Sequence, residues 1–596
     1  MKKQVITYLL VGIAALPAAS QEKLEGTLYV EGEYVPTVVR QDKIHLLPQK
    51  VSFELPTFRP EPATGLLTGN YVPGYNALPA PVWQGAAAEY PWRGYLYGGI
   101  GSYLNSTLSA GYRMVATDAT KADIWFQHTG TSLFKPRICD RDLKRYRYDE
   151  RLGLRVSHRF SAGTLTADAH YHLGFFNYYG VSTPHSSLIV MPPRMEAKQT
   201  DETPKQTLND ARLRASWQSV KNSSLQWRAG ADVSYFGYQH YYTPDGPHLA
   251  WMQWDGQREL QVNAGAGLDA KLGSRSALTA DVVFTNVSYN KCGAQDRSGS
   301  LQTVRIAPAY CYTADRFSAR LGVVADITGG AGKALQTGLE KQDYSTFHIA
   351  PDVRLSYQGR GWNATLSATG GQQLQTLRND VQEDYYQAPK MDYIMPAFVP
   401  VEGKLRIGYN GSERFRAGID VTYLTVRHLY LGGWYMYSIS GYQPVITTVV
   451  PQHGNVAGFS LGLDAQWQPF DMLTLRGRGT YQPQKGDGAG FFNGYDRPRW
   501  TADIAADVRP IKNLTLTPSY RYRGVRNIYQ RFGPLQDMQA TRLPDICNLS
   551  FSARYRISRA VSVFGEADNL LCRRVTLLPC QLMEGFNFLV GADVQF

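Results

Sequence analysis

The last twelve residues, 585–596, alternate strictly between two kinds of side chain. Counting back in twos from the terminus gives an entirely apolar set: Phe596, Val594, Ala592, Val590, Phe588 and Phe586. The intervening set is mostly polar or small: Gln595, Asp593, Gly591, Leu589 and Asn587. A period of two residues is typical of a β-strand with one apolar face and one wet face. The segment therefore predicts that the chain ends in an amphipathic strand.

Short turn sequences alternate with long connections from Arg93 to the end of the chain. The short ones are 160–163, 221–223, 273–275, 314–316, 358–361, 410–412, 469–471, 510–513 and 558–560. The long ones lie near 131–148, 178–205, 238–256, 328–342, 376–398, 429–454, 484–496, 526–540 and 571–584. Turn residues between alternating segments favour hairpins. Tight turns that alternate with long loops are typical of a transmembrane β-barrel, with the turns in the periplasm and the loops outside the cell.

The number of strands can be estimated by counting backward from Phe596. About eighteen strands reach back to Asp149, and two to four more fit between Arg93 and Thr131. Both ends should face the same side, so the number should be even. We predict an all-β fold, a transmembrane antiparallel barrel of 22 strands over residues 93–596. Residues 103–106 could form a turn on either side of the membrane.

Composition agrees with a membrane barrel. Mean hydropathy is −0.32, and no run of 18 apolar residues follows the first twenty, so no transmembrane helix is predicted. A barrel hides its hydrophobicity in alternate positions, so low average hydropathy is compatible with it. The 39 Tyr and 11 Trp suit aromatic girdles at the two membrane interfaces. A large secreted β-protein is the alternative, which the lack of a repeat of fixed period disfavours.

The first twenty residues predict an export signal. Lys2 and Lys3 precede an apolar run at 6–16, and Ala18-Ala19-Ser20 offers a small-residue cleavage site. Residues 21–92 then form a separate, proline-rich segment. Its prolines prevent long β-ladders and favour an extended path in the periplasm or the lumen.

Three short stretches carry a resemblance to a known family. The segment with Tyr34, Pro36, Val38 and Ile44 is similar to the N-termini of TonB-dependent receptor-like outer-membrane proteins of Bacteroidota, which have the receptor barrel but a reduced or missing plug domain. Residues 566–571 resemble the penultimate-strand pattern of TonB-dependent receptors, although Cys-Arg-Arg at 572–574 departs from it. The final strand resembles the closing strand of outer-membrane barrels, in which the terminal aromatic residue, here Phe596, is the assembly signal.

The resemblance implies uptake of a solute across the cell outer membrane. Residues 34–48 would then act as a TonB-box-like strand that pairs with a periplasmic protein by β-addition. Expected partners are outer-membrane lipid, the barrel assembly machinery, a TonB-like or other periplasmic protein, and a surface lipoprotein. A wide lumen would leak, so residues 21–92 or inward-folded loops should occlude it. The alternatives are a non-transporting scaffold within a larger assembly and an open porin, and residues 21–92 could equally be a disordered tail.

Alternation places a set of arginines on the wet face of the predicted strands. They are Arg155, Arg159, Arg212, Arg214, Arg354, Arg406, Arg416, Arg476, Arg478, Arg521, Arg523, Arg554 and Arg556. A charge on the lipid face costs roughly 2–4 kcal/mol near the midplane, so these residues should face the lumen. They would form a basic collar in its periplasmic half, suited to an acidic segment or anionic solute. The alternative, which we favour, is a structural network in which they pair with Asp352, Asp420 or Glu566, and Asp593 is a further natural partner.

Two loop regions are weaker candidates. Residues 135–151 carry many charges of both signs, which is typical of a solvated loop. Residues 173–181 and 234–252 are rich in aromatic side chains. They could stack on a sugar or a protein partner, but the outer interfacial girdle is the interpretation we favour.

No pattern in the sequence predicts an enzyme. The nucleophile-elbow, zinc-protease, P-loop and kinase signatures are absent. Gly265–Ala270 fits a loose dinucleotide-binding pattern, but it lies in a predicted strand with no helix after it. We expect no catalytic, cofactor or metal site, and no nucleic-acid binding because the basic residues lie inside a barrel. Among six cysteines, Cys572 and Cys580 flank one loop and are the expected disulfide pair.

Overall fold

A computed structural model describes residues 92–596. Gaps in the described residues fall at 136, 139–140, 143, 178–204, 221–223, 246–249, 291–298, 333–341, 380–395, 440–441, 487–497, 533–538 and 579–580. The described chain is almost entirely β-strand, with one 3₁₀ turn at Ser102–Leu104 and a single helical turn at 377–379. Among these residues, no helix is long and apolar enough to span a membrane.

Twenty-two antiparallel strands make up the barrel wall. In chain order they are β1 Gly94–Gly101, β2 Ser106–Ala116, β3 Thr120–Phe134, β4 Arg145–Arg159, β5 Gly163–Asn177, β6 Lys205–Ser219, β7 Leu225–Tyr238, β8 Arg258–Lys271, β9 Ser276–Tyr289, β10 Gly299–Ala314, β11 Phe317–Gly332, β12 Gln342–Gln358, β13 Trp362–Gln373, β14 Ala397–Tyr409, β15 Phe415–Ile439, β16 Tyr442–Phe470, β17 Leu473–Tyr481, β18 Trp500–Ile511, β19 Leu514–Arg523, β20 Ile546–Arg556, β21 Val561–Asp568 and β22 Asn587–Gln595.

The first and last strands close the ring. β1 pairs with β22 from Tyr95 opposite Gln595 to Gly101 opposite Leu589. The backbone N–H of Gly94 donates to the carbonyl oxygen of Phe596 over 2.7 Å, and the N–H of Phe596 donates back to Gly94 over 3.0 Å. The prediction of a closed 22-stranded antiparallel barrel is therefore confirmed.

The two rims of the barrel differ, as predicted. The short-turn rim holds both ends of the ring and the turns 117–119, 160–162, 272–275, 315–316, 359–361, 410–414, 471–472, 512–513 and 557–560. The long-loop rim holds most of the remaining connections. It also holds paired short strands, among them Arg526–Phe532 with Gln539–Leu543, and the upper halves of β15 and β16. The turn at Ser102–Leu104 joins β1 to β2 on the long-loop rim. The sequence had left open on which side of the membrane residues 103–106 form a turn.

The sequence count of eighteen strands between Asp149 and the terminus was short by one. Nineteen strands run from β4 to the terminus, and β1, β2 and β3 precede them. The nine short turns predicted from sequence, from 160–163 to 558–560, join eighteen of these strands as hairpins, and β22 adds one more. The predicted total of 22 was correct because three strands, not four, precede β4.

Alternation of side chains between the two faces follows the prediction for the final strand. Phe586, Phe588 and Val590 are exposed on the exterior, and Val590 keeps 52% of its surface. Asp593 faces inward, where Arg554 contacts it. An exterior belt of exposed Leu, Ile, Val and aromatic side chains runs around the ring. Such a belt suits a lipid environment, because apolar surface in water costs free energy.

Candidate functional site in the barrel lumen

The predicted arginines of the lumen wall mostly pair with aspartates on neighbouring strands. Arg155 of β4 contacts Asp168 of β5 at 2.5 Å. Arg212 and Arg214 of β6 share Asp232 of β7. The same arrangement recurs around the ring with Arg113–Asp123, Arg320–Asp352 and Arg476–Asp507 at 2.7–2.8 Å. Arg554 of β20 contacts Asp593 of β22, two strands away, at 2.5 Å. We call this set of cross-strand pairs the ion-pair belt.

Two arginines in the belt each bridge three strands. Arg228 of β7 contacts Asp269 of β8 at 2.8 Å and also Asp281 of β9. Arg406 of β14 contacts Asp420 of β15 and lies 3.2 Å from Asp464 of β16. The planar guanidinium group can donate to two carboxylates at once, which explains why arginine rather than lysine occupies these positions.

Two further predicted arginines share one carboxylate. Arg521 and Arg523 of β19 contact Asp503 of β18 at 3.3 and 3.0 Å. Arg478 of β17 lies directly opposite Asp503 in the sheet register. The belt lies towards the short-turn rim, as predicted, but it alternates in sign instead of forming a basic collar. The favoured interpretation as a structural network accounts for these pairs, with Asp352, Asp420 and Asp593 among the partners named from sequence.

Four arginines from the predicted set stand apart from the belt. Within the described residues, no carboxylate lies within ion-pair distance of Arg159, Arg354, Arg416 or Arg556. Arg354 of β12 faces Arg320 of β11 across the sheet, while Asp352 is engaged by Arg320. Uncompensated positive charge on the lumen wall therefore remains at these positions, and the anionic-solute hypothesis applies to them.

The chain turns from the wall into the lumen at the end of β13. We call residues 371–379 the lumen strap, of which 371–373 still pair with β14. Its base is held by an ion pair between Arg305 and Asp326 on β10 and β11. The N–H of Gln372 donates to Asp326 over 2.6 Å, and Arg305 donates to the carbonyl oxygen of Gln372 over 2.7 Å. Gly371 has a φ of +132°, a conformation that side-chain-bearing residues rarely adopt, so glycine permits the turn into the lumen.

The far end of the strap reaches other parts of the wall. The N–H of Leu377 donates to Glu259 of β8 over 2.7 Å. Arg378 donates to Asp210 of β6 over 3.0 Å, seven strands away from β13 around the ring. Gln375 donates to the carbonyl oxygen of His428 on β15 over 3.1 Å. The strap therefore ties together wall segments that are distant around the ring.

The strap lies in a packed part of the lumen. Gln375, Thr376 and Leu377 are buried, with only 4% of Leu377 exposed. Inward-facing apolar side chains of the adjacent wall are also buried, among them Phe176 and Val287. The upper lumen is therefore partly filled on the side of β5 to β10. The strap is an inward-folded loop of the kind that the sequence argument required for occlusion.

Aromatic rings of the lumen wall lie flat over glycines. The rings of Tyr97 and Phe564 stack with centroids 4.5 Å apart. A side chain at Gly591 would overlap the ring of Phe564 and the carbonyl oxygen of Gly98. Trp125 covers Gly153 in the same way. Sequence reasoning missed this pairing of rings with glycines, because it depends on the register between strands.

The predicted aromatic segments lie on both faces of the barrel. In the described parts of 173–181 and 234–252, Phe175 and Tyr235 are exposed, and they alternate with Phe176, Phe236 and Tyr238, which are buried. The outward members fit the girdle interpretation. The rest of these segments, including all of 178–181, lies outside the residues or side chains that the structure describes.

Several other predicted sites are only partly described. Tyr34, Pro36, Val38 and Ile44 lie outside the described residues. Cys572 is exposed and Cys580 lies outside the described residues, so the disulfide between them stays a prediction. Among the described residues, no cluster of three His, Cys, Asp or Glu side chains could hold a metal ion.

The fold is that of 22-stranded outer-membrane receptor barrels. It resembles the FrpB iron transporter from Neisseria meningitidis with a TM-score of 0.64 and 10% identity, over 85% of this chain and 81% of that chain. It resembles the pyoverdine outer membrane receptor FpvA from Pseudomonas aeruginosa PAO1 with a TM-score of 0.62 and 11% identity, over 85% and 78%. The copper transporter OprC gives 0.62 and 12%, over 85% and 80%. No protein-family model and no curated protein matches the sequence. At these identities the likeness establishes the fold.

Proposed function

We propose that this protein is a TonB-dependent receptor-like barrel of the cell outer membrane that takes up a solute. The observation that carries the proposal is a closed 22-stranded ring with an apolar exterior and a charged, polar lumen. The proteins that share this fold include an iron transporter, a pyoverdine receptor and a copper transporter. The short-turn rim then faces the periplasm, and the long-loop rim faces the outside of the cell.

The lumen offers a path with two distinct zones. A solute that enters from the long-loop rim meets the strap, which narrows the path where Arg378 contacts Asp210. It then passes the ion-pair belt, whose alternating charges suit a hydrophilic solute. Arg354, Arg416 and Arg556 would attract anionic groups, because an unpaired cation in a narrow water-filled space concentrates anions.

Residues 21–92 provide the link to the periplasm in this proposal. Residue 92 directly precedes the start of the ring, and Arg93 donates its N–H to Phe596 at the short-turn rim. Arg93 therefore lies at the rim that would face a TonB-like protein in this proposal. The stretch from Tyr34 to Ile44 would pair with that protein as an added strand, and the remaining residues would help to occlude the lumen.

A non-transporting scaffold is the second candidate. The packing around the strap favours it, because a filled lumen conducts poorly. In this alternative the long-loop rim would dock partners such as a surface lipoprotein, and the ion-pair belt would only stabilise the wall.

Conductance in planar bilayers distinguishes the two functions. We would compare the full chain, a chain without residues 21–92, a chain in which residues 374–379 are replaced by a Gly-Ser linker of equal length, and a chain with both changes. Arg378→Ala provides a milder opening of the strap. Arg414→Ala is the matched control, because Arg414 pairs with Asp471 at the exposed short-turn rim, away from the lumen.

The transporter proposal predicts low conductance for the full chain and for the control. It predicts large channels once residues 21–92 and the strap are both removed, with smaller increases for each change alone. Transport competence would then be tested by liposome swelling with neutral and anionic sugars. Absence of conductance in every variant would contradict uptake and support the scaffold.

A further inference from the structure

We infer that the barrel exterior carries a binding groove for one anionic glycerophospholipid of the leaflet at the short-turn rim. The inference rests on the membrane location in the proposed function, but it does not depend on transport. The groove lies across β7 to β11, on the outward face, and has a volume of about 690 Å³. It differs in position and in chemistry from the charged lumen on the other side of the same strands.

Short side chains in the apolar belt create the groove. Ala270, Ala280 and Pro308 line it, and none of them extends far from the backbone. Around them stand Leu268, Leu278 and Leu321, each of which keeps about half of its surface exposed. Long side chains around short ones leave an elongated depression whose lining is almost entirely hydrocarbon. An acyl chain is the ligand that matches such a lining.

A local defect in the sheet adds to the depression. The ladder between β10 and β11 stops after Ile306 opposite Ala325 and resumes at Ala309 opposite Gly322. Pro308 lies in this interruption, because it has no N–H to donate to the neighbouring strand. A proline in the middle of a barrel wall weakens the wall, so its position at the groove calls for a reason other than stability.

The extent of the groove along the membrane normal matches the thickness of a single leaflet. Leu225 is the first residue of β7 at the short-turn rim, and Pro308 lies six residues from the end of β10. Six residues of strand span about 20 Å, which a tilt of about 40° reduces to about 15 Å of height. That height is about half of a hydrocarbon core of ~30 Å. A lipid in the groove would therefore place its headgroup at the short-turn rim.

The rim next to the groove is polar and positively charged. Arg275 and Arg316 are exposed on the two turns that end the groove strands, with Asp315 as the acidic residue there. These turns adjoin, since the N–H of Thr313 donates to the carbonyl oxygen of Arg275 over 2.8 Å. The charge complements an anionic phosphate, which favours a phosphatidylglycerol-type lipid over a zwitterionic one.

Polar atoms also meet the groove just above this rim. The hydroxyl groups of Tyr310 and Ser276 hydrogen-bond at 2.9 Å on the outward face. Tyr310 lines the groove, so its ring contacts the acyl region while its hydroxyl lies near the level of the glycerol esters. A tyrosine with this division is typical of a membrane interface. From the middle of the membrane towards the rim, the apolar groove, Tyr310 and the basic turns therefore follow one another. The acyl chains, glycerol esters and phosphate of a phospholipid have the same order.

Lipid retention by the purified full-length protein tests the inference. The protein would be exchanged into detergent with equal amounts of phosphatidylglycerol and phosphatidylcholine, and bound lipid would be counted by native mass spectrometry. Ala280→Leu fills the groove, and Ala465→Leu is its control on the exterior of β16. Arg275→Ala with Arg316→Ala removes the rim charge, and Arg360→Ala on the turn after β12 is the control for charge.

We expect the wild type and both controls to retain one phosphatidylglycerol per chain. Ala280→Leu should lose this lipid, and the double arginine variant should lose about 30-fold in preference, since each arginine near an anionic lipid contributes about fivefold. Equal retention of both lipids, retention unchanged in Ala280→Leu, or a second copy of the chain instead of lipid would overturn the inference. A barrel that binds this lipid but never conducts would refute the transport proposal alone.

Discussion

Replacement of Asp326 by Asn should release the lumen strap without opening the barrel. Asp326 is 1% exposed and accepts hydrogen bonds from both Arg305 and the N–H of Gln372. Asparagine keeps an acceptor for the N–H of Gln372 but loses the charge, and a hydrogen bond to a charged group contributes about 1.5–3 kcal/mol. Arg305 is 38% exposed on its side chain, so water recovers part of the lost contribution. We therefore expect a loss of about 2 kcal/mol in the free energy that holds the strap against the wall.

The release can be measured by chemical labelling. Leu377→Cys would be introduced into a chain whose native cysteines are replaced by Ser, and a water-soluble maleimide would be added. Leu377 is 4% exposed, so labelling requires that the strap leaves the wall. A loss of 2 kcal/mol raises the undocked population, and hence the labelling rate, by about 30-fold.

The matched control for this experiment is Asp352→Asn. Asp352 is nearly as buried and pairs with Arg320 at 2.7 Å, but it makes no hydrogen bond to the strap. The control should lower the stability of the wall to a similar extent without faster labelling at position 377. An equal increase in both variants would refute the idea that the Arg305–Asp326 pair anchors the strap specifically.

Three further changes test the wall. Gly591→Val should prevent ring closure, because a side chain there overlaps the backbone of β1 across the seam. The heat-modifiable band of the folded barrel on gels should then disappear. Gly477→Ala, at a glycine with open space around it, should behave as wild type. Arg228→Ala leaves Asp269 and Asp281 of adjacent strands without their shared cation and should lower the urea midpoint measurably. Arg414→Ala at an exposed pair, worth about 0–1 kcal/mol, should change it little, and equal shifts would contradict the importance of the belt. Deletion of Phe596 removes the backbone bonds that join the terminus to Gly94 and should reduce membrane insertion in cells; undiminished insertion would exclude the terminal residue as the assembly signal.

Local patterns in the sequence were sufficient for the wall of the barrel. Alternation decided which face of β22 is apolar, and turn residues such as those at 410–412 and 558–560 marked the short-turn rim. Each of these signals is carried by residues that lie within a few positions of one another in the chain. The inward direction of the arginines followed from the same alternation.

Contacts between distant residues could not be predicted in this way. Arg228 finds Asp269 and Asp281 through the register of three strands, and a shift by one residue would turn these side chains to the other face. The strap depends on Asp210 and Glu259, which lie more than a hundred residues earlier in the chain. The residues at the two ends of the connection between β13 and β14 resemble those of the other long connections. They therefore carry no local signal that this connection folds into the lumen.

A disulfide across the seam between β1 and β22 tests whether the ring is closed. Ile100 and Val590 lie opposite each other on the outward face, so Ile100→Cys with Val590→Cys, in a chain without other cysteines, should form an intramolecular disulfide in membranes. Cysteines at 100 and 419 serve as the control, because Ile419 lies on β15, far around the ring. We expect efficient cross-linking within one chain for the seam pair only. No cross-link, or cross-links only between two chains, would contradict it.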